Sequence, residues 1–321
     1  MEVIMKKGMT LVEILVSLTI LTIILGAIFS ILTLQQTKAT NVQATTVMQT
    51  DANIALSLLR WDLFMAGYGI GTDDPSIISG DAGNNGGADN ITLYGAGLAF
   101  ESDGANWSPV LVPVQNSSKI IVYRFSDLAT HFSVGDELIL VDQNKNLLDS
   151  GLVIAGTTWT THAAGEITVP ALELDIAPGV VSAGQGAIAF SPNLSTYFSG
   201  VTYTLNNNKQ LLRGNEVFLE NVEDIQFAFG VDLNDNGAIE EPNEWFDDLN
   251  SIPNYTPQLL YQHKFAIRSS FVVVTKQLLR DYQYTGGAIT LENNTYTPTT
   301  YDLRRKREIV TAITWPRNLQ F

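Results

Sequence analysis

A long uncharged segment near the N-terminus constrains this chain more than any other feature. From Ile14 to Leu34, about 21 consecutive residues carry no charge and most are apolar, and a membrane-spanning helix needs roughly 20 such residues. Lys6 and Lys7 precede the segment, and basic flanks of this kind stay on the cytoplasmic side of a membrane. The sequence therefore predicts a single membrane-spanning helix, with the rest of the chain outside the inner membrane.

One carboxylate, Glu13, lies at the head of this segment. A charge at the edge of a membrane helix is costly, and a residue of this kind usually has a partner or a role. Lys6 and Lys7 are followed by Gly8 and Met9, and a chain that began at Met9 would have Glu13 as its fifth residue. This combination of basic leader, glycine, spacing, carboxylate and apolar length resembles the type IV prepilin signal.

The resemblance implies that a prepilin peptidase cuts between Gly8 and Met9 and that Met9 is then N-methylated. It also implies that Glu13 meets the amine of Met9 on a neighbouring subunit, where opposite charges offset part of the cost of burying each other. Major pilins commonly have Phe where this chain has Met9. Three alternatives are a Glu13 in the headgroup region without a partner, an uncleaved anchor, and an ordinary secretory signal, whose apolar core is only 7–15 residues long.

Helical periodicity continues beyond the apolar segment. No proline occurs before Pro75, and apolar residues recur at steps of three, four and seven at Val47, Ile54, Leu58, Trp61 and Met65. We therefore predict one helix from about Thr10 to about Ala66, ended by Gly67. The predicted division of the chain is a leader peptide at 1–8, a helical segment at 9–70 whose transmembrane half covers about 14–34, and a β-rich extracytoplasmic head at 71–321.

The head reads as a series of short strands. Asp73–Asp89 is rich in Gly, Asn and Asp and predicts a loop. Strands are predicted where β-branched residues cluster between turn residues, at Ile91–Tyr94, Ile120–Phe125, Glu137–Val141, Leu152–Ala155, Ile167–Val169, Ala187–Phe190, Val201–Leu205, Gln210–Arg213, Ile225–Val231 and Phe265–Thr275. The predicted fold class is α+β, in which a long N-terminal helix of the type IV pilin kind packs its distal half on a mainly antiparallel β head.

Several further motifs resemble the PilW-like minor pilins. Leu58–Gly71 contains Arg60, Asp62 and Ala66-Gly67-Tyr68 in an R-D-x-x-x-A-G-Y pattern. The other matches are Tyr203-Thr204-Leu205 with Leu211-Leu212-Arg213, the strand Val222–Asp232, the basic pair Arg304-Arg305, and Trp315–Asn318. Gly95–Gly200 matches only in general character. We expect Arg60 and Asp62 to fix the helix against the head.

This resemblance implies a minor pilin that acts in type IV pilus assembly or initiation, in a tip or priming complex with other minor pilins and the major pilin. The protein would be held in the inner membrane first and then reside in the pilus or at its tip. The J-type minor pseudopilin of type II secretion shares the same N-terminus, long helix and β-rich head, and is the nearest alternative.

An oxygen-rich stretch, Asp232–Glu244, resembles the first half of a calcium-binding loop. Asp232, Asn234 and Asn236 stand at positions one, three and five, Gly237 permits the turn, and Ala238 would offer its carbonyl. Position twelve is Asn243, so a closing carboxylate would have to come from Glu241 or Glu244. The alternative is a plain Asn-Gly turn after a strand. Calcium is therefore a possible cofactor at this loop.

Composition excludes several other classes. The net charge of −15 argues against nucleic-acid binding, and the lack of cysteine excludes disulfides and thiolate chemistry. His131, His162 and His263 lie far apart, and no hydrolase, phosphate-binding or dinucleotide-binding motif occurs. We therefore predict that the protein is not an enzyme. A membrane-anchored extracytoplasmic domain with calcium-binding or enzymatic activity is the alternative from another class.

Overall fold

The computed structural model describes residues 10–83, 86–95, 97–98, 106–125, 132–165, 167–191, 200–298 and 300–319. Its first element is one continuous α-helix, α1 (Leu11–Met65), which is about 80 Å long at 1.5 Å per residue. Thr10 is the N-cap, Ala66 is the C-cap, and Gly67 follows with a φ of +78°, a left-handed conformation that favours glycine after a helix. The predicted helix and its ends are confirmed.

Antiparallel strands are the main secondary structure in the rest of the described chain. In chain order they are β1 (Ile77–Gly80), β2 (Asn90–Leu93), β3 (Asn106–Pro109), β4 (Val114–Ser117), β5 (Lys119–Tyr123), β6 (Glu137–Val141), β7 (Leu147–Ala164), β8 (Ile167–Ala177), β9 (Val181–Ala183), β10 (Ile188–Ser191), β11 (Val201–Leu205), β12 (Gln210–Arg213), β13 (Glu216–Glu220), β14 (Val222–Val231), β15 (Trp245–Phe246), β16 (Phe265–Val274), β17 (Ile289–Leu291), β18 (Asn294–Tyr296) and β19 (Arg307–Thr314). A short helix, α2 (Leu259–Gln262), and 3-10 turns at Leu249–Ser251, Thr300–Arg304 and Arg317–Leu319 complete the described elements. The predicted α+β class with an antiparallel head is confirmed.

Two sheets and the distal half of α1 form the first core of the head. Their strand orders are β1-β2-β11-β12-β13 and β15-β14-β16-β19. One face of α1 is buried at helical spacing, through Met48, Ala52, Ala55, Leu59 and Leu63. These side chains pack with buried residues of both sheets in a single hydrophobic cluster. We call this unit, α1 together with the two sheets, the scaffold.

A third sheet, ordered β3-β10-β6-β7-β8-β5, builds a separate core. An isolated bridge between Val110 and Val122 joins the residue after β3 to β5, so the sheet curls into a nearly closed six-stranded barrel. Its interior is a distinct cluster that includes Ile120, Leu140 and Leu174. We call this unit the barrel.

The barrel is inserted into the first scaffold sheet. Strands β2 and β11 lie beside each other, with Val201 opposite Leu93, although all the barrel strands lie between them in sequence. The barrel strands fall within 95–200. In the described part of 71–321, the two largest hydrophobic clusters therefore lie in the scaffold and in the barrel.

Two local predictions need correction. The predicted loop Asp73–Asp89 contains β1, which pairs with β2. The strands predicted at Leu152–Ala155 and Ile167–Val169 are fragments of one long hairpin of 18 and 11 residues, β7 and β8. Their outer parts are exposed, so they lack the alternation of buried and exposed residues on which the prediction relied. Threonine-rich sequence forms strand here because β-branched residues suit a paired backbone.

A buried carboxylate, Asp89, links the segment before β2 to β14. It is only 3% exposed and accepts hydrogen bonds from the backbone N–H groups of Phe227 at 3.0 Å and Ala82 at 3.2 Å. Burial and, to a smaller extent, the nearby charges of Asp81 and Asp224 raise the pKa of Asp89 to about 7, although the two backbone hydrogen bonds oppose the rise.

Asp89 should make the head more stable in mildly acidic solution. Its pKa is raised above the usual unfolded value, so its contribution to folding is fully present near pH 4 and is lost as the pH rises through about 7. Asp89 should therefore make the melting temperature fall as the pH rises from about 4 to about 7, and Asp89→Asn should remove this fall. Thermal unfolding of both proteins across that range measures it, and an unchanged slope in Asp89→Asn would contradict the assignment.

Candidate functional site

The N-terminal end of α1 carries the residues that the sequence analysis singled out first. Gly8 and Met9 lie outside the described residues. Glu13 forms a capping box with Thr10: its Oε2 accepts from the Thr10 backbone N–H at 2.9 Å, and the Glu13 N–H donates to Thr10 Oγ1 at 3.4 Å. The Thr-x-x-Glu spacing is a known sequence signature of this cap, so the capping role of Glu13 is visible in the sequence in addition to the predicted role of its charge.

The first half of α1 has no packing partner within the described chain. Every side chain from Leu11 to Leu34 is exposed, and in the described residues α1 is the one helix long and apolar enough to cross a membrane. Exposed apolar surface of this extent marks a membrane or protein contact. This half of α1 is therefore built to be covered by lipid or by other helices.

A buried polar network fixes the other end of α1 to the head. The Asp62 side chain is 0% exposed, and its Oδ2 accepts hydrogen bonds from the Tyr203 hydroxyl and from Arg213 Nε, both at 2.7 Å. Arg213 also donates to the backbone carbonyl of Leu98. Tyr203 and Arg213 face each other across β11 and β12. The network therefore ties the helix to a hairpin of the first scaffold sheet.

Burial and hydrogen bonding act against each other at Asp62. Burial raises the pKa of Asp62, while hydrogen bonds from Arg213 and Tyr203 lower it and offset part of the rise. The same burial raises the pKa of Tyr203, so its hydroxyl stays protonated and donates to the carboxylate. The Asp62 carboxylate thus accepts hydrogen bonds from the Tyr203 hydroxyl and the Arg213 guanidinium, and each of these polar groups would be costly to bury without a partner.

Of the two charged residues that were predicted to fix the helix against the head, one is buried and the other is exposed. Asp62 has this role, whereas Arg60 is exposed and lies on the solvent side of α1. Along a helix, positions two apart point in different directions, which explains the difference. The part of the prediction that concerns Arg60 therefore needs correction.

The C-terminal motif closes the end of α1. Asn318 Nδ2 donates to the carbonyl of Met65 at 3.3 Å and, more weakly, to that of Phe64 at 3.5 Å. These carbonyls lie in the last turn of the helix, where intrahelical partners are missing. Leu319 packs on Gly67, where an added Cβ would come within 2.6 Å of Leu319 Cδ2. Leu319 therefore packs where a side chain at position 67 would clash with it.

The oxygen-rich loop is held by its own backbone. Asp232 accepts from the N–H groups of Asn236 at 3.1 Å and Gly237 at 2.7 Å. Glu244 is buried and accepts from Leu233 at 3.1 Å and Glu240 at 2.9 Å.

The remaining predicted ligands take different positions. Asn234 and Asn236 accept from the N–H groups of Asn236 and Ala238. Glu241 pairs instead with Arg268. Lys264 donates to the Gly237 carbonyl at 2.7 Å. No group of three or more His, Cys, Asp or Glu suited to a metal occurs among the residues that the structure describes. Of the two candidates for the closing carboxylate, only Glu244 is hydrogen-bonded to the loop backbone in the described residues.

Calcium binding at this loop stays a prediction with a direct test. At a hundredfold excess over its dissociation constant, a ligand stabilises the folded state by about 2.7 kcal/mol, which corresponds to about 5–10 °C in melting temperature for a head of this size. We expect the protein to melt higher in millimolar calcium than in chelator, and Glu244→Gln to remove that difference. Glu241→Gln is the matched control and should keep it. Identical melting curves in calcium and chelator would leave the loop as a turn without a metal.

Comparison with known proteins gives one match. Residues 5–29 match the family model of the prokaryotic N-terminal methylation motif. No curated protein and no solved structure matches the chain. The matched segment covers the predicted cleavage point, Glu13 and much of the exposed apolar half of α1.

The motif and the fold together support a type IV pilin-like protein. The motif implies processing by a prepilin peptidase and assembly with other pilins in the membrane. The apolar N-terminal helix supports a single-pass, membrane-anchored chain.

Proposed function

We propose that this protein is a PilW-like minor pilin that takes part in type IV pilus assembly or initiation within a tip or priming complex. The observation that carries the proposal is the contact among Asp62, Tyr203 and Arg213. Asp62 belongs to the R-D-x-x-x-A-G-Y motif, and Tyr203 and Arg213 belong to the Y-x-L…L-x-R hairpin, so the contact joins two motifs that resemble the PilW-like family. The shared contact gives both motifs one physical role, which is to hold the head at a fixed angle on α1.

The division of α1 into two halves supports the same role. Its distal half is buried in the scaffold, while its first half exposes a continuous apolar surface. A subunit that enters a helical assembly needs both: a helix that packs with other helices, and a head that cannot rotate freely about it. In this proposal the partners are other minor pilins and the major pilin, the head lies outside the inner membrane, and the protein has no catalytic activity.

Glu13 is the residue on which assembly should depend most. We propose that it pairs with the N-terminal amine of Met9 on a neighbouring subunit after cleavage. Glu13→Gln should leave processing intact but reduce recovery of other pilins with the protein several-fold. The reason is that the neutral amide keeps an oxygen acceptor for the cap but loses the charge that the amine needs. Affinity purification of membrane extracts, quantified by mass spectrometry, measures the change.

A control separates pairing from capping. Thr10→Ala removes the capping hydroxyl, which costs about 1 kcal/mol at such positions, and keeps the Glu13 charge. If assembly depends on the charge, Thr10→Ala should recover partners nearly as well as the unmodified protein. If Thr10→Ala loses partners and Glu13→Gln retains them, Glu13 acts only as a helix cap and the pairing proposal is wrong.

A further inference from the structure

The barrel is inserted between two scaffold strands, β2 and β11, that pair directly with each other. Thr92 and Thr202 share a hydrogen bond of 2.8 Å across them. The register places Leu93, at the end of β2, opposite Val201, at the start of β11. The two ends of the insertion are therefore neighbouring strand positions, which a short turn could join.

The barrel satisfies its own packing requirements. Its cluster of buried residues is separate from that of the scaffold, and Val122, Ile154 and Leu174 within it are 0% exposed. Its strands pair only with one another in the described sheets. A domain that can fold alone has a hydrophobic core of its own and few contacts across its boundary. The barrel has such a core.

The boundary between barrel and scaffold is a small apolar contact. From the barrel it uses Ile139, Val141 and Phe190, and from the scaffold side Ile70 with the partly buried Tyr68 and Tyr94. The Tyr68 and Phe190 rings meet edge to face at 5.1 Å. Close by, the Thr72 N–H donates to the Lys145 carbonyl at 3.0 Å, and Lys145 Nζ donates to the Asn318 carbonyl at 2.8 Å.

The buried face of α1 belongs to the scaffold alone. All its buried apolar side chains pack in the scaffold cluster, and none belongs to the barrel core. The buried face of α1 and the barrel core therefore lie in different units, and the described contacts between barrel and scaffold include Tyr68, Thr72 and Asn318.

We propose that the barrel is a separately folding module that the scaffold displays, and that assembly with other pilins does not require an intact barrel. The second half of this proposal rests on the assembly role proposed above. The protein then has two separately folding parts: a scaffold that builds the complex, and a barrel that the scaffold carries.

A matched pair of core substitutions in the full chain tests the separation. Leu174 in the barrel and Leu211 in the scaffold are both 0% exposed strand leucines, and replacing either with Ala leaves a cavity. Leu174→Ala should speed amide hydrogen exchange in β5–β8 by at least about tenfold and leave β11–β16 unchanged. Leu211→Ala should do the opposite. If Leu174→Ala loosens both units equally, the barrel is not a separate module.

Co-purification in the same variants tests the second half. Leu174→Ala should recover other pilins at the level of the unmodified protein, whereas Leu211→Ala should recover fewer. If the unmodified protein recovers no pilins, the proposed assembly function is wrong, while the exchange result still decides the separation. If the unmodified protein recovers pilins and Leu174→Ala does not, assembly requires the intact barrel and this inference is overturned.

Discussion

Asp62→Ala should destabilise the head by about 3 kcal/mol or more, because removing one partner of a buried ion pair leaves the other uncompensated. The substitution removes the acceptor for the Arg213 guanidinium and for the buried Tyr203 hydroxyl at once. It also removes the link between the end of α1 and the β11–β12 hairpin. We therefore expect a clear drop in the denaturant midpoint of the detergent-solubilised protein, together with faster hydrogen exchange around Asp62.

The same motif provides the control for this prediction. Arg60 is two residues away and exposed, and substitutions at such sites usually change stability by no more than about 0.5 kcal/mol. Arg60→Ala should therefore leave the unfolding curve unchanged.

A double-substitution cycle isolates the contact itself. Asp62→Leu combined with Arg213→Leu removes both charges, and this double variant should be more stable than the two single effects added together. Additive effects, or equal losses for Arg60 and Asp62, would show that the network does not hold the helix.

Substitution of Gly8 by a bulky residue such as Leu should leave nearly all of the protein with its leader attached. The matched motif at residues 5–29 implies a prepilin peptidase, and the backbone beside the cut must fit closely in the enzyme, where a glycine has no side chain to exclude. The N-terminal peptide should then begin at Met1 in the variant and at methylated Met9 in the unmodified protein. Mass spectrometry of the purified chains distinguishes the two.

Met9→Phe is the companion variant for the processing experiment. It places on the other side of the cut the residue that major pilins commonly carry, so cleavage should proceed as in the unmodified chain. Efficient removal of the leader from Gly8→Leu would contradict the assigned cleavage point, even if Met9→Phe behaves as expected.

The extent of the long helix could be predicted from sequence, because its signals are local. Apolar spacing, the lack of proline before Pro75 and the glycine at 67 define its course and its end. The face that it buries was predicted wrongly: Val47, Ile54 and Trp61 of the predicted apolar face are exposed, and the face that carries Met48, Ala55 and Leu59 is buried instead. Glu13 was singled out for its charge, yet its hydrogen bonds to Thr10 also follow from local spacing and were missed.

The site at the far end of α1 depends on long-range contacts. Asp62, Tyr203 and Arg213 were each noted in a motif, but 141 and 151 residues separate the bonded pairs, and no local pattern specifies such partners. The barrel is a similar case: strand propensity located several of its strands but could not divide them between two cores. Glu241 was a candidate ligand by spacing alone, and it instead pairs with Arg268 on β16.

We propose that this chain is a processed subunit that assembles with other pilins. Identifying the proteins that are purified together with it is the most direct test. The full-length protein should be extracted from membranes under mild conditions, purified through a tag at its C-terminus, and analysed by mass spectrometry against an untagged control. We expect a chain that begins at Met9, together with enriched proteins that carry the same methylation motif. A chain that begins at Met1 and is recovered without any such protein would contradict the proposal.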